Sequence, residues 1–408
     1  MVSLGDGSES KSRHDEFREF DLSLVIFNQG NSAEVVSAHW RPGSELAPAI
    51  LAVQTLPIIT ASQVRLISGG FDFWDMWPLT YQDGTLVSRG QRTWWFFLAA
   101  VKGPDPESRH DFAHIHLVCR ERGEWRDQGP VIPAELSPGS REWSGSSVLG
   151  SDGTTVTLYF TAAGRRDGGP RFEQRLFVTS GIFNPAEDMP VGHWTQPVEF
   201  LTPDGEIYAT ARDSVPRNGM IVGFRDPTHF FDSKTGSEYV LFTGNSGQTR
   251  SDYNGVIGLA QRAFTGWVLL PPLLDASGFN HEMERAHVVQ HDGLYYLFWS
   301  THAARFAPGQ RYPTGLYGMV SENLRGPWRP LNRHSLVACN PSGEPMQAYC
   351  WWVTDTLEVV SFVNYWGLQG RSMANDARLA RQVFGGTVAP LFKLKLQGDE
   401  ATIEYGGE

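Results

Sequence analysis

Apolar residues along this chain fall in short runs broken by turn residues, and one unit of that pattern keeps returning. It consists of a short polar motif, an apolar strand, an Asp-Gly type turn and a strand rich in aromatics. The first copy is Trp74-Asp75-Met76-Trp77-Pro78, then Asp83-Gly84, then Trp94-Trp95-Phe96-Phe97-Leu98. The second is Glu142-Trp143-Ser144-Gly145-Ser146, then Asp152-Gly153, then 156–160. The third runs from Arg225-Asp226-Pro227 through Phe230-Phe231 and a turn ending at Gly236 to Tyr239-Val240-Leu241-Phe242. The fourth is Glu282-Met283-Glu284-Arg285, Asp292-Gly293 and Tyr295-Tyr296-Leu297-Phe298. A weaker fifth begins near Gln347-Ala348-Tyr349, replaces the Asp-Gly turn by Thr354-Asp355-Thr356 and continues over 357–363.

Asp-Gly between apolar runs predicts a hairpin, because both central residues of a type I′ turn need positive φ. Each copy is therefore expected to be antiparallel. With Asp75, Ser144, Asp226, Glu284 and Tyr349 as markers, the copies are spaced by 58 to 82 residues, which leaves room for long loops. Helical periodicity is scarce, and 43 Gly and 25 Pro suit many turns. The prediction is an all-β chain, a five-bladed β-propeller with a central funnel-shaped pocket, in which radial repetition protects the sheet edges. A jelly-roll sandwich is the alternative, and it leaves the repeat unexplained. Residues 1–20 read as a flexible N-terminal segment and 21–408 as a single five-bladed propeller domain. In a propeller, equivalent positions at the starts of the inner strands converge near one end of the axis, so the five motifs are expected to meet there.

Composition narrows the partners. Lys and Arg number 34 against 45 Asp and Glu, a net charge of −11, and no basic face is available to neutralise phosphates. Nucleic acid is not an expected partner. The longest apolar run, 94–101, is far short of a membrane span and suits a buried strand. Residues 1–19 are polar and carry no apolar core followed by a small-residue cleavage site. The expectation is a cytoplasmic protein, export by a route that sequence does not display, or a signal already removed. Cys119, Cys339 and Cys350 allow at most one disulfide; Cys339 and Cys350 span a loop, and buried free thiols are the commoner outcome.

Three acids stand out. Asp75 lies between Trp74 and Trp77, and indole faces that stack on sugar C–H surfaces leave such a carboxylate as the polar feature of an apolar wall; the plainer reading is a turn or cap residue. Asp226, between Arg225 and Pro227, is biased towards extended backbone, and the adjacent guanidinium favours its ionised form; turn initiation is the plainer reading here. In His281-Glu282-Met283-Glu284-Arg285, a strand period of two puts both glutamates on one face. Facing a channel, they would repel, raising the pKa of one into the range of a general acid. Facing solvent, they would form an ordinary edge strand. Retaining glycoside cleavage needs a nucleophilic carboxylate and a protonated one, and a third acid serves as stabiliser. Ser144 is placed to hydrogen-bond the nucleophile, or simply to make a turn. His110, His114 and His116 come without the Cys or paired carboxylates of a zinc site, and no EF-hand-like run suggests calcium. No metal and no cofactor is called for.

The motifs around Asp75, Ser144, Asp226 and Glu284, taken together and in order from about Phe71 to Leu396, resemble glycoside hydrolase family 68: levansucrases, inulosucrases and bacterial β-fructofuranosidases. The resemblance implies a five-bladed propeller with a deep pocket. It implies Asp75 as nucleophile, Glu284 as acid/base and Asp226 as transition-state stabiliser. Trp74, Trp143, Ser144, Arg225, Glu282, Arg285 and Tyr349 match residues lining the sugar subsites. His302 falls where Gram-negative members carry histidine, and His281 replaces an aspartate that helps hold calcium in the Gram-positive type, which argues against that ion here. The implied partners are sucrose and fructosyl acceptors: water, sugars or a growing fructan. A non-catalytic sugar-binding propeller and an interaction scaffold are the readings from other classes.

Overall fold

The computed structural model describes residues 37–42, 45–187, 189–210, 220–374 and 376–405. The expected N-terminal segment 1–20 lies outside them. Among the described residues the fold is all-β, with two short α-helices, Pro48–Gln54 and Ala377–Val383. The apolar run 94–101 forms most of the strand Arg92–Val101.

Each copy of the sequence repeat is the first hairpin of an antiparallel unit. Unit one pairs Phe71–Tyr81, Arg92–Val101, His114–Glu121 and Glu124–Pro130 in turn. Unit two pairs Arg141–Leu149, Thr155–Ala163, Gln174–Phe183 and Val198–Leu201. Unit three contains Phe224–Asp232, Ser237–Asn245, Gly255–Ala263 and Gly266–Asp275, with Ala38–His39 added in parallel at its outer edge. Unit four starts at Glu284–His291 and Leu294–Thr301, and unit five at Ala348–Val353 and Glu358–Tyr365. Units one and two merge into a ten-stranded sheet through a parallel pairing of 79–81 with 147–149.

The turns are less uniform than the Asp-Gly signal predicts. Asp292 and Gly293 both have positive φ (47° and 75°) and close a two-residue hairpin between His291 and Leu294. In Asp83-Gly84 and Asp152-Gly153 only the glycine is left-handed, and the aspartate instead accepts backbone N–H groups, Thr85 for Asp83 and Thr154 and Thr155 for Asp152.

What positions the site is a β-bulge in the first strand of every unit. The register slips between Trp74 and Trp77, Trp143 and Gly145, Arg225 and Thr228, Glu284 and His287, and Tyr349 and Trp352. In four of the five, the bulge holds a non-glycine residue at positive φ: Asp75 (43°), Asp226 (59°), Arg285 (57°) and Cys350 (54°). Such backbone costs on the order of 1–3 kcal/mol per residue and persists where the surroundings over-determine it, most often at functional sites. The structural counterparts of Asp75 and Asp226 are therefore Arg285 and Cys350, one residue beyond the sequence markers Glu284 and Tyr349. The bulges also lie inside the strands, so the convergence point is a few residues past most of the strand starts.

Hydrogen bonds lock neighbouring units together. Ser146 Oγ donates to Pro227 O and accepts from His229 N, both at 2.9 Å. Thr243 Oγ1 donates to Met283 O (3.2 Å), and Ser300 Oγ accepts from Trp351 N (3.0 Å). Gly145 is required at the second bulge: a Cβ there would lie 1.8 Å from Tyr159 O.

Candidate active site

A cavity of about 1220 Å³ opens where the bulges meet. Ten of the eleven residues singled out from sequence line it: Trp74, Asp75, Trp143, Ser144, Arg225, Asp226, Glu282, Glu284, His302 and Tyr349. The bulges explain this, because each re-aims consecutive side chains that simple alternation would send to opposite faces.

Arg225, buried in the third unit, ties the acids together. Its Nη2 contacts Glu282 Oε1 and lies 2.8 Å from Glu284 Oε1, and its Nε is 3.6 Å from Asp226 Oδ2. Burial alone would lower its pKa, but those three negative neighbours outweigh it and raise the value. Glu282 is also paired with Arg305, whose Nε lies 2.5 Å from its second oxygen. The two guanidiniums overcome the cost of burial and hold Glu282 well below the usual carboxylate range.

Glu284 goes the other way. Burial first, then repulsion from Glu282, pushes its carboxyl up to about 7, against the pull of Arg225. Repulsion was expected from the sequence to be the main cause; desolvation is the larger one. Tyr349 donates its hydroxyl to Glu284 Oε2, and the His302 ring stacks on Tyr349 with centroids 3.5 Å apart. Burial lowers the His302 pKa to about 4, so its ring is neutral near pH 7.

Burial also raises the Asp75 pKa, while the Arg285 charge and a hydrogen bond with the Cys350 thiol oppose it. Asp226 sits among hydroxyl donors: Ser144 Oγ at 2.6 Å from Oδ1 and Thr243 Oγ1 at 2.9 Å from Oδ2. Ser144 thus serves Asp226, not the Asp75 carboxylate it was expected to orient, because its own bulge turns the hydroxyl towards unit three.

Two further expectations change. Arg285 does not line the cavity. It is buried, donates to Gly145 O (3.2 Å) and Met76 O (3.0 Å), and lies between the Trp77 and Trp352 rings. Trp77, placed with Trp74 in the aromatic wall around Asp75, instead stacks on Phe96 in the core. Trp143 supplies the other cavity-lining indole and donates Nε1–H to His110 O (3.1 Å). Cys339 and Cys350 are both free and buried. His110, His114 and His116 diverge: His110 packs edge-on against Trp74, His114 approaches Glu142 (3.7 Å) and His116 pairs with Asp127 (2.9 Å).

Sequence reasoning did not single out Arg305, or the 3₁₀ segment Pro106–Asp111 between two strands of unit one. That segment brings Glu107, Arg109, His110 and Asp111 to the cavity, with Tyr365 from unit five. The one available signal was a dense charged stretch, Asp105 to Asp111, interrupting two apolar runs.

The chain is similar to characterised proteins over most of its length. It is 31% identical over 393 residues to levansucrase LscB of Pseudomonas savastanoi pv. glycinea, covering 86% of each chain. It is 31% identical to a levansucrase of Erwinia amylovora, over 82% of this chain and 87% of that one. Its backbone superposes on an inulosucrase from Halalkalicoccus jeotgali bound to kestose with a TM-score of 0.82 and 35% identity, over 90% of this chain and 95% of the other. The profile of glycoside hydrolase family 68, described as Levansucrase/Invertase, matches residues 45–261 and 251–406. The chain therefore belongs to glycoside hydrolase family 68 and is an enzyme of that family.

Proposed function

We propose that this enzyme is a retaining fructosyltransferase acting on sucrose, and that its five antiparallel units are the blades of one propeller closed around a funnel-shaped site. Asp75 attacks the anomeric carbon of the fructosyl unit. Glu284 gives its proton to the glycosidic oxygen as that bond breaks, so that glucose leaves and a fructosyl ester on Asp75 remains. Glu284, now ionised, takes a proton from water or a sugar hydroxyl, whose oxygen displaces the Asp75 carboxylate. Asp226, with its two hydroxyl donors, stabilises the oxocarbenium-like charge between these steps. Trp74, Trp143, Arg225, Glu282, His302 and Tyr349 shape and bind the sugar.

The observation that carries this reading is the opposite fate of two carboxyls in one cavity. Glu284 is pushed up to about 7, as a proton donor near neutral pH requires, while Glu282 is held ionised as a hydroxyl acceptor. A binding module needs no such division. The relatives named above are levansucrases and an inulosucrase, which supports sucrose as donor.

Incubation with sucrose tests the proposal through free glucose. Release above a buffer control is expected, with a loss of at least about 10³-fold in Asp75→Asn, a change that keeps size and fold. No release by the wild type sinks the reading, and an active Asp75→Asn moves the nucleophile elsewhere. Linkage analysis of the products separates β-2,6 from β-2,1 transfer.

A further inference from the structure

The cavity is larger than the reaction at its base requires. At about 1220 Å³ it exceeds the roughly 300–1,000 Å³ usual for a pocket that encloses one small molecule. The carboxylates occupy one part of it. Another wall is built from the 3₁₀ segment Pro106–Asp111 of unit one, with Arg171 and Phe172 of unit two and Tyr365 of unit five.

This wall has its own internal order. Arg109 is buried against the rings of Trp74 (5.3 Å) and Phe384 (4.4 Å), so the segment rests directly on the indole beside Asp75. Its Nη1 donates to Glu107 Oε1 at 3.2 Å, and the Tyr365 hydroxyl donates to the same oxygen. Among the described residues no hydrogen bond reaches the other oxygen, Oε2; the His110 Nε2 lies 3.9 Å from it, beyond hydrogen-bond reach. The Glu107 side chain is 59% exposed. Arg109 and the Tyr365 hydrogen bond keep it ionised, with a pKa lowered to about 2 despite the opposing effect of partial burial. One carboxylate oxygen is thus anchored and the other is left as an acceptor.

Aromatic surface lies beside it. Phe172 of unit two lines the same cavity and is only partly buried. Asp111 binds Arg171 through both of its oxygens, Nε at 3.1 Å to Oδ1 and Nη2 to Oδ2, and the Arg171 guanidinium covers the Phe172 ring at 5.1 Å. An ionised acceptor held in place next to aromatic faces is what a neutral saccharide recognises: hydroxyls donate to the carboxylate and C–H faces stack on the rings.

We infer that this wall is a subsite for the non-reacting sugar units of the saccharide that accepts the fructosyl group, with Glu107 and the Phe172 ring as its contacts. It thereby favours transfer over hydrolysis. The inference rests on the fructosyl-transfer reading above.

The test uses the full chain at high sucrose, where sucrose is both donor and acceptor. Total turnover is read as glucose, and the transferred fraction as the shortfall of free fructose relative to glucose. For Glu107→Ala and Phe172→Ala, the transferred fraction falls at least threefold further than glucose release does. Glu107→Gln, which keeps the anchored oxygen, is intermediate. Phe172 is only partly buried and lies in unit two, so its variant reports even if loss of Glu107 perturbs folding. Equal proportional losses of glucose release and transfer in all variants, or an unaltered transferred fraction, overturn the subsite. So does a wild type that releases the two sugars equally at every sucrose concentration. Absence of any glucose release instead defeats the fructosyl reading itself.

Discussion

Ser144 Oγ lies 2.6 Å from Asp226 Oδ1, linking the bulges of two neighbouring units. Thr243 Oγ1 reaches the other oxygen at 2.9 Å, so the carboxylate is gripped from both sides. Hydrogen bonds to a charged group contribute about 1.5–3 kcal/mol. Ser144→Ala or Thr243→Val is therefore expected to lower kcat/KM for sucrose about 10- to 100-fold. If the bond acts on the transition state, most of the loss appears in kcat, with KM within a few-fold of wild type. Initial-rate kinetics on glucose release decide the split, and a loss confined to KM would assign Ser144 to ground-state binding.

The two carboxyls of the proposed reaction define a bell-shaped pH profile. Glu284 must be protonated to act as acid, so kcat/KM is lost as pH rises through about 7. Asp75 must be ionised, and its raised pKa places the acid limb above 3.8, the ordinary value for an aspartate. Glu282→Gln removes one of the charges that raise the Glu284 pKa, so the alkaline limb moves to lower pH. A limb that stays in place, or moves up, contradicts the coupling.

The same raised pKa makes Glu284 a destabilising residue at alkaline pH. A carboxyl whose folded pKa exceeds its unfolded value favours folding most when both states are protonated, below about 4.5. That contribution is lost as pH rises towards 7. Glutamine at 284 does not titrate. Thermal melts of Glu284→Gln and wild type should therefore diverge from pH 5 to pH 8, with the variant gaining at most about 3 kcal/mol. Its glucose release should fall about 10²- to 10⁴-fold. A melting difference independent of pH would place the Glu284 pKa near its ordinary value.

Gly145 follows the second bulge with no space for a methyl group, since the nearest obstacle is the backbone oxygen of Tyr159. Gly145→Ala forces the two strands apart and is expected to cost about 3 kcal/mol or more. Urea unfolding measures it. Gly153→Ala, in an open turn at positive φ (70°) with nothing within 4 Å of the added Cβ, serves as the comparison and should cost only about 1 kcal/mol.

Much of this site is legible in the amino-acid pattern. The recurring apolar runs mark all five first hairpins, and ten of eleven candidate residues line one cavity. Arg285 is the exception, for a reason of register. A period of two cannot show where a bulge inserts an extra residue, and the bulge at Arg285 sends that side chain under Met76 and Gly145 instead of into the cavity. Glu107 and Arg109 escape for a different reason. Their segment is a short charged interruption between strands, and its place over Trp74 depends on contacts between units one and five.

Periodicity and turn chemistry are local and written in neighbouring residues, so the chain's order of residues was enough to establish that strands repeat, that acids sit at matching places in the repeat, and which family the chain resembles. Which oxygen each donor reaches, which glutamate keeps its proton and how far the cavity extends beyond the carboxylates were settled by tertiary structure alone. Those outcomes depend on burial and on charges brought together from positions as distant as Asp75, Arg225 and Tyr349, which only the folded arrangement of strands makes neighbours.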